Sequence, residues 1–533
     1  MKKRRNLPVF KNALVIDLGA EGNAIAKVDN LVVFIGNAVP EDIVDIQVTR
    51  KKRSYLEGKV TKYHKYSDKR IEPVCEHFGV CGGCKWQNIS YETQLFYKQK
   101  QVEDSLRRIG HLSPVLSEGE GEPSRELSPS KKRGSGGVLK AQLGNLSKNV
   151  TIMPIIPSKR TEYYRNKLEF TFSNKRWLTK DEINTISPLR QLAERGLGGE
   201  VNALGFHIPR RFDKVLDINH CHLQKNPSNA IRLAVKEYAI NNKLTFFDIR
   251  KQEGFLRNLI IRISTSPVLP PDGGEGEPSL VKPPSLNGGI LVIISFFYED
   301  AEQRENLLNH LADKFPEITS LMYVINPKKN DTISDLDIKT FKGSDCIYEK
   351  IGHLRFKIGA KSFFQTNIEQ ACELYNVVSD FAQLSGEETV YDLYTGSGTI
   401  ADYIADKAKK VVGLEYLQEA VEDARVNSEI NGITNTSFYA GDIKDILNED
   451  FIDRNGTPDV IITDPPRAGM HKDVVKKILE IAPEKIVYVS CNPATQARDI
   501  ALLSEKYIVS KIQPIDMFPH TPHVENVVLL VRN

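Results

Sequence analysis

The chain has 533 residues, 72 Lys+Arg against 69 Asp+Glu for a net charge of +3, and 40% hydrophobic with 26% charged residues. That length is too great for a single core and implies about three domains, and the balance of apolar and charged residues excludes a wholly disordered chain. The longest apolar runs, LVVFIG (31–36) and ILVIISFF (290–297), are strand-sized and fall short of the ~18 residues of a membrane span, and the basic N-terminus carries no secretion signal pattern.

Residues 1–70 hold 15 Lys+Arg and 8 Asp+Glu, a local balance of +7 in a nearly neutral chain. The basic residues form two knots, Lys2–Arg5 and Arg50–Arg53, with Lys59, Lys62, Lys65, Lys69 and Arg70 following. Between them run ALVIDLG (13–19), NAIAKVD (23–29), LVVFIGN (31–37), DIVDIQVTR (42–50) and LEGKVTKY (56–63). Short strands at regular spacing with Gly and Pro turns predict a small β-barrel. Tyr55, Tyr63 and Tyr66 interleave with the cations, a mixture that suits an RNA backbone and stacked bases; the plainer reading is a solvated barrel surface.

Cys75, Cys81 and Cys84 follow in the spacing C-x5-C-x2-C of CEHFGVCGGCKWQ. Three close thiols on a glycine-rich loop can converge on zinc or on an iron–sulfur cluster, and spacing does not choose between them. Cys221 in INHCHLQ is a candidate fourth ligand, in competition with His77, His220 and His222, whereas Cys346 and Cys372 have no partner nearby and read as buried. Seven cysteines in all are too sparse for a disulfide scaffold, so a cytoplasmic protein with reduced thiols is expected.

Residues 113–149 and 266–288 are rich in Ser, Pro, Gly and Glu and repeat SPVL and GEGEPS. Such stretches bury too little apolar surface to offset ordering entropy and read as surface insertions. Around them KLEFTFS (167–173), NLIIRIS (258–264), GILVIISFF (289–297) and SLMYVIN (320–326) suit an α+β middle domain.

From 389 onward strands alternate with helices: TVYDLYTGSGT, KVVGLEY, SFYAGD, DVIITDPPRAG, KIVYVSCNP, YIVSKIQPI and HVENVVLLV are the strand segments. The βαβ pattern implies a doubly wound, mostly parallel sheet with its ligand site at the carboxyl ends of the strands. With no helix between them, the last two strands should pair antiparallel. The Gly396-Ser-Gly398 turn lets backbone approach a nucleoside closely; it lacks the third glycine of a dinucleotide fingerprint. Glu415, 19 residues on, is placed to accept ribose hydroxyls, and Asp442 and Asp464 end the next two strands. A lone acid after a strand is usually a helix cap; three in succession favour a ribose- and adenine-binding cleft.

DLYTGSGT, GLEY, GDI, TDPPRAG, SCNPATQARD and HVENVVLL, with FFQTN (363–367) upstream, occur in this order. Together they resemble the S-adenosylmethionine-dependent RNA uracil-C5 methyltransferases. The thiol run, HCHLQ and the basic barrel make the chain similar to the branch that acts on 23S ribosomal RNA, whereas the transfer RNA branch typically lacks barrel and cluster. The resemblance implies an OB-like TRAM barrel at 1–70, an iron–sulfur α+β domain at 71–345 and a class I, Rossmann-like methyltransferase domain at 346–533. It implies Cys491 as nucleophile and Glu525 as base. Gln365, Tyr394, Glu415 and Asp464 match donor-binding positions, with Gly396, Thr399 and Asp442 in the same cleft. Cys75, Cys81, Cys84 and Cys221 match ligands of a [4Fe–4S] cluster. The implied partner is RNA, with no membrane and no obligate protein partner. Thr395 and Thr399 depart from the family, where Cys and Asn are frequent.

The chemistry needs these residue types. C5 of uracil is a weak nucleophile; a thiolate adding to C6 turns the ring into an enolate that takes the methyl group, and a base then removes the C5 proton. A cytosine-C5 enzyme would have a second cysteine by the Pro-Pro motif, and TDPPRAG has none. An amine methyltransferase would have a stacking aromatic where Arg467 stands. A non-catalytic iron–sulfur RNA-binding protein would have no use for Cys491.

Overall fold

The computed structural model describes residues 7–109, 150, 152–178, 202–209, 211–265 and 288–533. The Lys2–Arg5 knot, the insertion at 113–149 and residues 266–287 of the second lie outside the described residues.

Five strands, β1 (Val9–Leu18), β2 (Ala24–Val28), β3 (Leu31–Gly36), β4 (Ile43–Lys51) and β5 (Tyr55–Lys65), close into a barrel in the order β1-β2-β3-β5-β4. Two-residue alternation fills it: Ala13 and Val15, Ala24 and Ala26, Val33 and Ile35, and Val44, Ile46 and Val48 all point inward. Asp29 and Asn30, the two residues between β2 and β3, both take positive φ, 49° and 60°, as a two-residue hairpin of this twist requires. Below the barrel, buried Asp42 accepts two guanidinium bonds from Arg70, at 2.9 and 2.6 Å.

The middle of the chain builds β6 (Lys167–Ser173), β7 (Arg176–Trp177), β8 (Ala203–Ile208), β9 (Arg211–Asp217), β10 (Leu256–Ile263), β11 (Ile290–Phe296), β12 (Ser320–Ile325) and β13 (Ile338–Gly343). They form an eight-stranded sheet in the order β13-β12-β11-β10-β6-β8-β9-β7. Strands β10 and β11 are buried along their whole length, which is why their sequences are continuously apolar rather than alternating. One face, with Leu259, Ile261, Val292 and Ile294, packs under the core that includes α2 (Ser228–Asn241) and α3 (Ala301–Lys314). The other, with Ile260, Leu291 and Ile293, belongs to the core of the C-terminal sheet.

That sheet follows the hairpin β14 (Cys346–Ile351) and β15 (Leu354–Gly359) and helix α4 (Ile368–Ala382). Its strands are β16 (Thr389–Leu393), β17 (Lys410–Glu415), β18 (Thr436–Ala440), β19 (Val460–Thr463), β20 (Lys485–Ser490), β21 (Tyr507–Ile515) and β22 (Glu525–Arg532), ordered β18-β17-β16-β19-β20-β22-β21. All pairs are parallel as far as β20, and β22 runs antiparallel between β20 and β21. The order reverses between β16 and β19, the switch point at which doubly wound sheets bind ligands. Helices α5 (Thr399–Ile404), α6 (Gln418–Ile430), α7 (Ile443–Ile446), α8 (Glu449–Asn455), α9 (Lys472–Ile481) and α10 (Pro493–Leu503) lie between the strands. No helix among the described residues is long and apolar enough to cross a membrane.

One early segment crosses the boundary read at 345/346. The helix Tyr91–Ile109, here αN, packs on α10, and its Val102 and Leu106 join the C-terminal core. Ile152 and Ile156 bridge to Ile512 and Ile515 and extend the β21 edge. Sequence order assigned this segment to the middle domain; its apolar face has its partners in the C-terminal sheet and its helices.

Lys98 of αN is fully buried, with Nζ 2.5 Å from Asp516 Oδ1 and 3.0 Å from the Phe518 carbonyl. Tyr91 donates to the other Asp516 oxygen at 2.9 Å. Removing one partner of a buried pair leaves an uncompensated charge, at about 3–5 kcal/mol. Lys98→Met is therefore expected to lower the denaturation midpoint of the C-terminal body, and adding Asp516→Asn should recover part of the loss. An unchanged midpoint in equilibrium urea unfolding would refute this account of the pair.

Candidate active site

The strand ends at the switch point surround a cavity of about 970 Å³. All nine residues expected in the catalytic and donor sites line it: Gln365, Tyr394, Gly396, Thr399, Glu415, Asp442, Asp464, Cys491 and Glu525. Its volume is at the upper end of the ~300–1,000 Å³ usual for one small-molecule site, which leaves room for two ligands side by side.

At one end is the glycine turn. Tyr394 takes φ +65° as the chain leaves β16, and its N–H and that of Thr395 both donate to the Leu414 carbonyl. A non-glycine residue held in this region is strained and persists only where its surroundings fix it. Gly396 (φ +57°) donates its N–H to Glu415 Oε2 at 3.1 Å, while Leu417 N–H donates to Oε1 at 3.0 Å, so the carboxylate at the end of β17 is oriented from both sides. Gly398 is needed twice over: its φ is +79°, and a Cβ there would lie 2.9 Å from that of Ala424. The Thr395 hydroxyl donates to buried Asp392 at 2.5 Å, and that of Thr399 pairs with Tyr375 at 3.0 Å. Asp442 serves as a cap as well, accepting from Lys444 N–H and pairing with its ammonium at 2.5 Å.

At the other end, Cys491 follows β20 and precedes Asn492, whose side chain caps α10 with Pro493 in its first turn. Ser490 pairs with Asn526 and Ile515 with Glu525, so the next step of the β20–β22 register sets Cys491 opposite Glu525. The Pro-Pro-Arg loop is fastened to the same corner: Asn492 Nδ2 and the Thr495 hydroxyl donate to the Arg467 carbonyl at 3.0 and 3.2 Å. Arg467 Nη2 donates to His523 Nδ1 at 2.9 Å, and burial and this guanidinium pull His523 down to about 4, so the ring is neutral. Burial, then Glu525 and Asp464, push the Cys491 thiol up to about 11, with Arg467 opposing. Burial raises Glu525 well above the ordinary carboxylate range and takes Asp464 to about 7.

Several lining residues were not singled out from sequence. Phe363 is 74% exposed at the mouth, and Tyr416 and Leu417 form an apolar rim next to Glu415. His471, Phe518 and His523 also line the cavity, as does Arg467, noted from sequence only as replacing a stacking aromatic. Their signal was adjacency to FFQTN, GLEY, TDPPRAG and HVEN. The Gln365 loop is held from the middle sheet, where Asn166 donates to the Gln365 carbonyl at 3.1 Å and Arg262 to that of Ser362 at 2.7 Å.

A second, small void is lined by Cys75, Cys81, Cys84 and Cys221 together with His77, His220 and His222, under Phe78, Phe206 and Leu223. Burial pushes Cys81 and Cys84 up to about 12, with Cys221 and Cys75 adding to both; all seven cysteines are free thiols. The competing histidines are engaged: His77 Nε2 accepts Asn219 N–H at 2.9 Å, and His220 and His222 share the Tyr163 hydroxyl at 3.1 and 3.2 Å. Among the described residues no group of three or more His, Cys, Asp or Glu converges as for a single metal ion. The thiols surround a void instead of meeting at a point.

On the barrel, Tyr63 and Tyr66 stack at 4.8 Å with Arg70 5.2 and 5.4 Å from their ring centres, and Tyr66 is 61% exposed.

A family profile described as tRNA (Uracil-5-)-methyltransferase matches residues 347–533, and one described as TRAM domain matches 11–61. The chain is 51% identical over 515 residues to an uncharacterized RNA methyltransferase of Bacteroides thetaiotaomicron, covering 96% of this chain and 99% of that protein. It is 48% identical over 524 residues to one of Porphyromonas gingivalis, covering 97% and 99%. Its fold is shared with the crystal structure of Pyrococcus abyssi tRNA (uracil-54, C5)-methyltransferase in complex with S-adenosyl-L-homocysteine, with a TM-score of 0.66 and 24% identity over 97% of this chain and 99% of that one.

A carboxyl group whose pKa is higher in the folded chain binds a proton on folding, so its contribution to stability is present at low pH and falls as pH rises between its unfolded and folded values. Asp392 and Asp402 join Asp464 at about 7, all from 3.8. Stability should therefore decline from pH 4 to pH 7, and Asp464→Asn should flatten part of that decline in denaturation midpoints taken across the range. An identical slope in the variant would contradict this assignment.

Proposed function

The chain belongs to the S-adenosylmethionine-dependent RNA methyltransferases that join a TRAM domain to a tRNA (uracil-5-)-methyltransferase domain, and from that premise we propose that it methylates C5 of a uridine in 23S ribosomal RNA through a covalent Cys491 adduct. The observation that carries this reading is the single cavity in which the glycine turn and Glu415 face one end and Cys491 and Glu525 the other.

S-adenosylmethionine, when bound, supplies an electrophilic methyl group on a sulfonium. Glu415 would hold its ribose, the backbone of 394–398 would pass close to it, and Tyr416, Leu417 and Ile443 offer an apolar slot between Glu415 and Asp442 for its base. The surplus of carboxylates over cations on these walls favours a positively charged donor. Gln365, Tyr394 and Asp464 would face the donor from the side of the reacting carbon, and Thr399, engaged by Tyr375, would bound the pocket.

The target uridine must leave its stack to present C6. Cys491 Sγ, as thiolate, bonds to C6 and the C5=C6 π pair passes to C5 and O4; C5 then takes the methyl group. Glu525 removes the C5 proton, and the returning electron pair re-forms C5=C6 and expels the thiolate. Arg467, the guanidinium that lowers both Cys491 and Glu525, favours the charged forms this sequence needs.

In this reading 1–70 grips phosphates and bases with Tyr66 and the basic residues of β5, 71–345 docks RNA, and 346–533 carries out the chemistry. The ribosomal target is supported by the pairing of barrel and thiol cluster. Transfer RNA is the alternative, supported by the likeness to the archaeal tRNA enzyme. Mapping 5-methyluridine in both RNAs from cells with and without the gene separates the two. Cys491→Ala should abolish methylation while RNA still binds, and Glu525→Gln should accumulate a methylated covalent adduct on denaturing gels. Normal turnover by Cys491→Ala would end the proposal.

We also assign Cys75, Cys81, Cys84 and Cys221 as ligands of a [4Fe–4S] cluster. What supports this is that four thiols line one void and that His77, His220 and His222, which line it too, each have a hydrogen-bond partner outside it. When bound it would tie the 75–84 loop to Cys221; methyl transfer from a sulfonium needs no electron from it. Chain purified without oxygen should contain about four irons and four sulfides, lost in Cys84→Ser. Stoichiometric zinc without sulfide would overturn the assignment.

A further inference from the structure

Residues 516–524 join β21 to β22 and lead directly into Glu525, and Phe518 and His523 on this connection line the cavity. Phe518, Thr521 and His523 make hydrogen bonds within the segment, and most of its other anchors come from elsewhere in the chain. Lys85 and Trp86, the two residues after Cys84, donate their N–H groups to the His520 carbonyl at 2.8 and 3.1 Å. Gln94 brackets the same residue, its Oε1 accepting His520 N–H at 2.8 Å and its Nε2 donating to Nδ1 at 3.3 Å. The Tyr164 hydroxyl donates to the Pro519 carbonyl at 3.1 Å, and Asn367 to that of Met517 at 3.0 Å. His520 is held at φ +66°, a conformation that a non-glycine residue keeps only when its neighbours impose it.

We propose that 516–524 is a strap set in place by the thiol loop and αN, and that Gln94 and Tyr164 are positioning residues for the base Glu525. The inference rests on the methyl-transfer reading above and deepens it. Gln94 and Tyr164 touch neither substrate nor donor in that reading; they act through His520 and Pro519. Because the peptide that fixes His520 begins at the residue next to Cys84, whatever orders the 75–84 loop also orders the strap. The link from thiol cluster to catalysis is then mechanical.

If the strap slackens, Glu525 no longer meets the C5 proton. The Sγ–C6 and C5–methyl bonds still form, but the electron pair of the C5–H bond is not released and the thiolate cannot leave. The full-length chain is the material, as Gln94→Met and the milder Tyr164→Phe, with uridine-containing substrate RNA and S-adenosylmethionine. Both variants should lose about tenfold or more in kcat, as for a misplaced general base, with KM for the donor unchanged. They should also show a covalent chain–RNA band that the native chain lacks at steady state. Amide hydrogen exchange should quicken in 516–524 and stay the same in 394–400. Loss of turnover without adduct and with uniformly faster exchange would mean a merely structural role and overturn the proposal, as would native exchange and native kcat in both variants. A native chain that makes no 5-methyluridine marks failure of the underlying reading, and the exchange measurement judges the strap on its own.

Discussion

The antiparallel insertion of β22 between β20 and β21 is the constraint on which the corner holding Cys491 and Glu525 depends. A wholly parallel sheet would bring to this edge a strand whose carboxyl end, not its start, lies by the cavity. Because β22 runs the other way, its first residue, Glu525, stands at the carboxyl end of β20, where Cys491 follows Ser490. Ladder bonds fix that relation along both strands, so the two groups that the proposed reaction would use on adjacent ring carbons are placed by paired strands.

Burial then sets the electrostatics. Cys491 is pushed up to about 11 by the same low-dielectric corner that raises Glu525 and Asp464. An isolated thiol in such a place would be inert. What distinguishes this corner is Arg467, carried in by the Pro-Pro-Arg loop and fastened to Asn492 and Thr495. A cationic ligand among these carboxylates would shift Cys491, Glu525 and Asp464 toward their charged forms.

Much of this was legible in the sequence for a physical reason: strands and strand-end turns are local. The barrel strands followed from short strands at regular spacing with Gly and Pro turns, β10 and β11 from strand-like apolar runs, and the glycine turn and strand-end acids from their offsets in a βαβ repeat. What could not be read were relations between distant segments. Lys98 looked like any helix-surface lysine until Asp516, over four hundred residues on, proved to be its partner. That His77, His220 and His222, which line the void with the four thiols, also have hydrogen-bond partners depends on Asn219 and Tyr163. Tyr394 carries no residue-type signal for its positive φ. The acids were ambiguous in sequence and remain dual in structure: Asp442 is a helix cap and a cavity wall at once.

The middle sheet explains how distant segments come to matter at the catalytic corner. Since β10 and β11 bury one face under α2 and α3 and the other against the C-terminal core, the two units share a dry, close-packed boundary of the kind that transmits displacement and does not absorb it. The thiol loop lies against this body through Cys81, Cys84 and Cys221, and αN packs on the catalytic sheet from its other side. In the proposed reading, a cluster bound there would need no redox partner to influence methyl transfer. It has only to keep a loop of ten residues in one conformation, because the peptide bonds that leave Cys84 are the ones that grip His520.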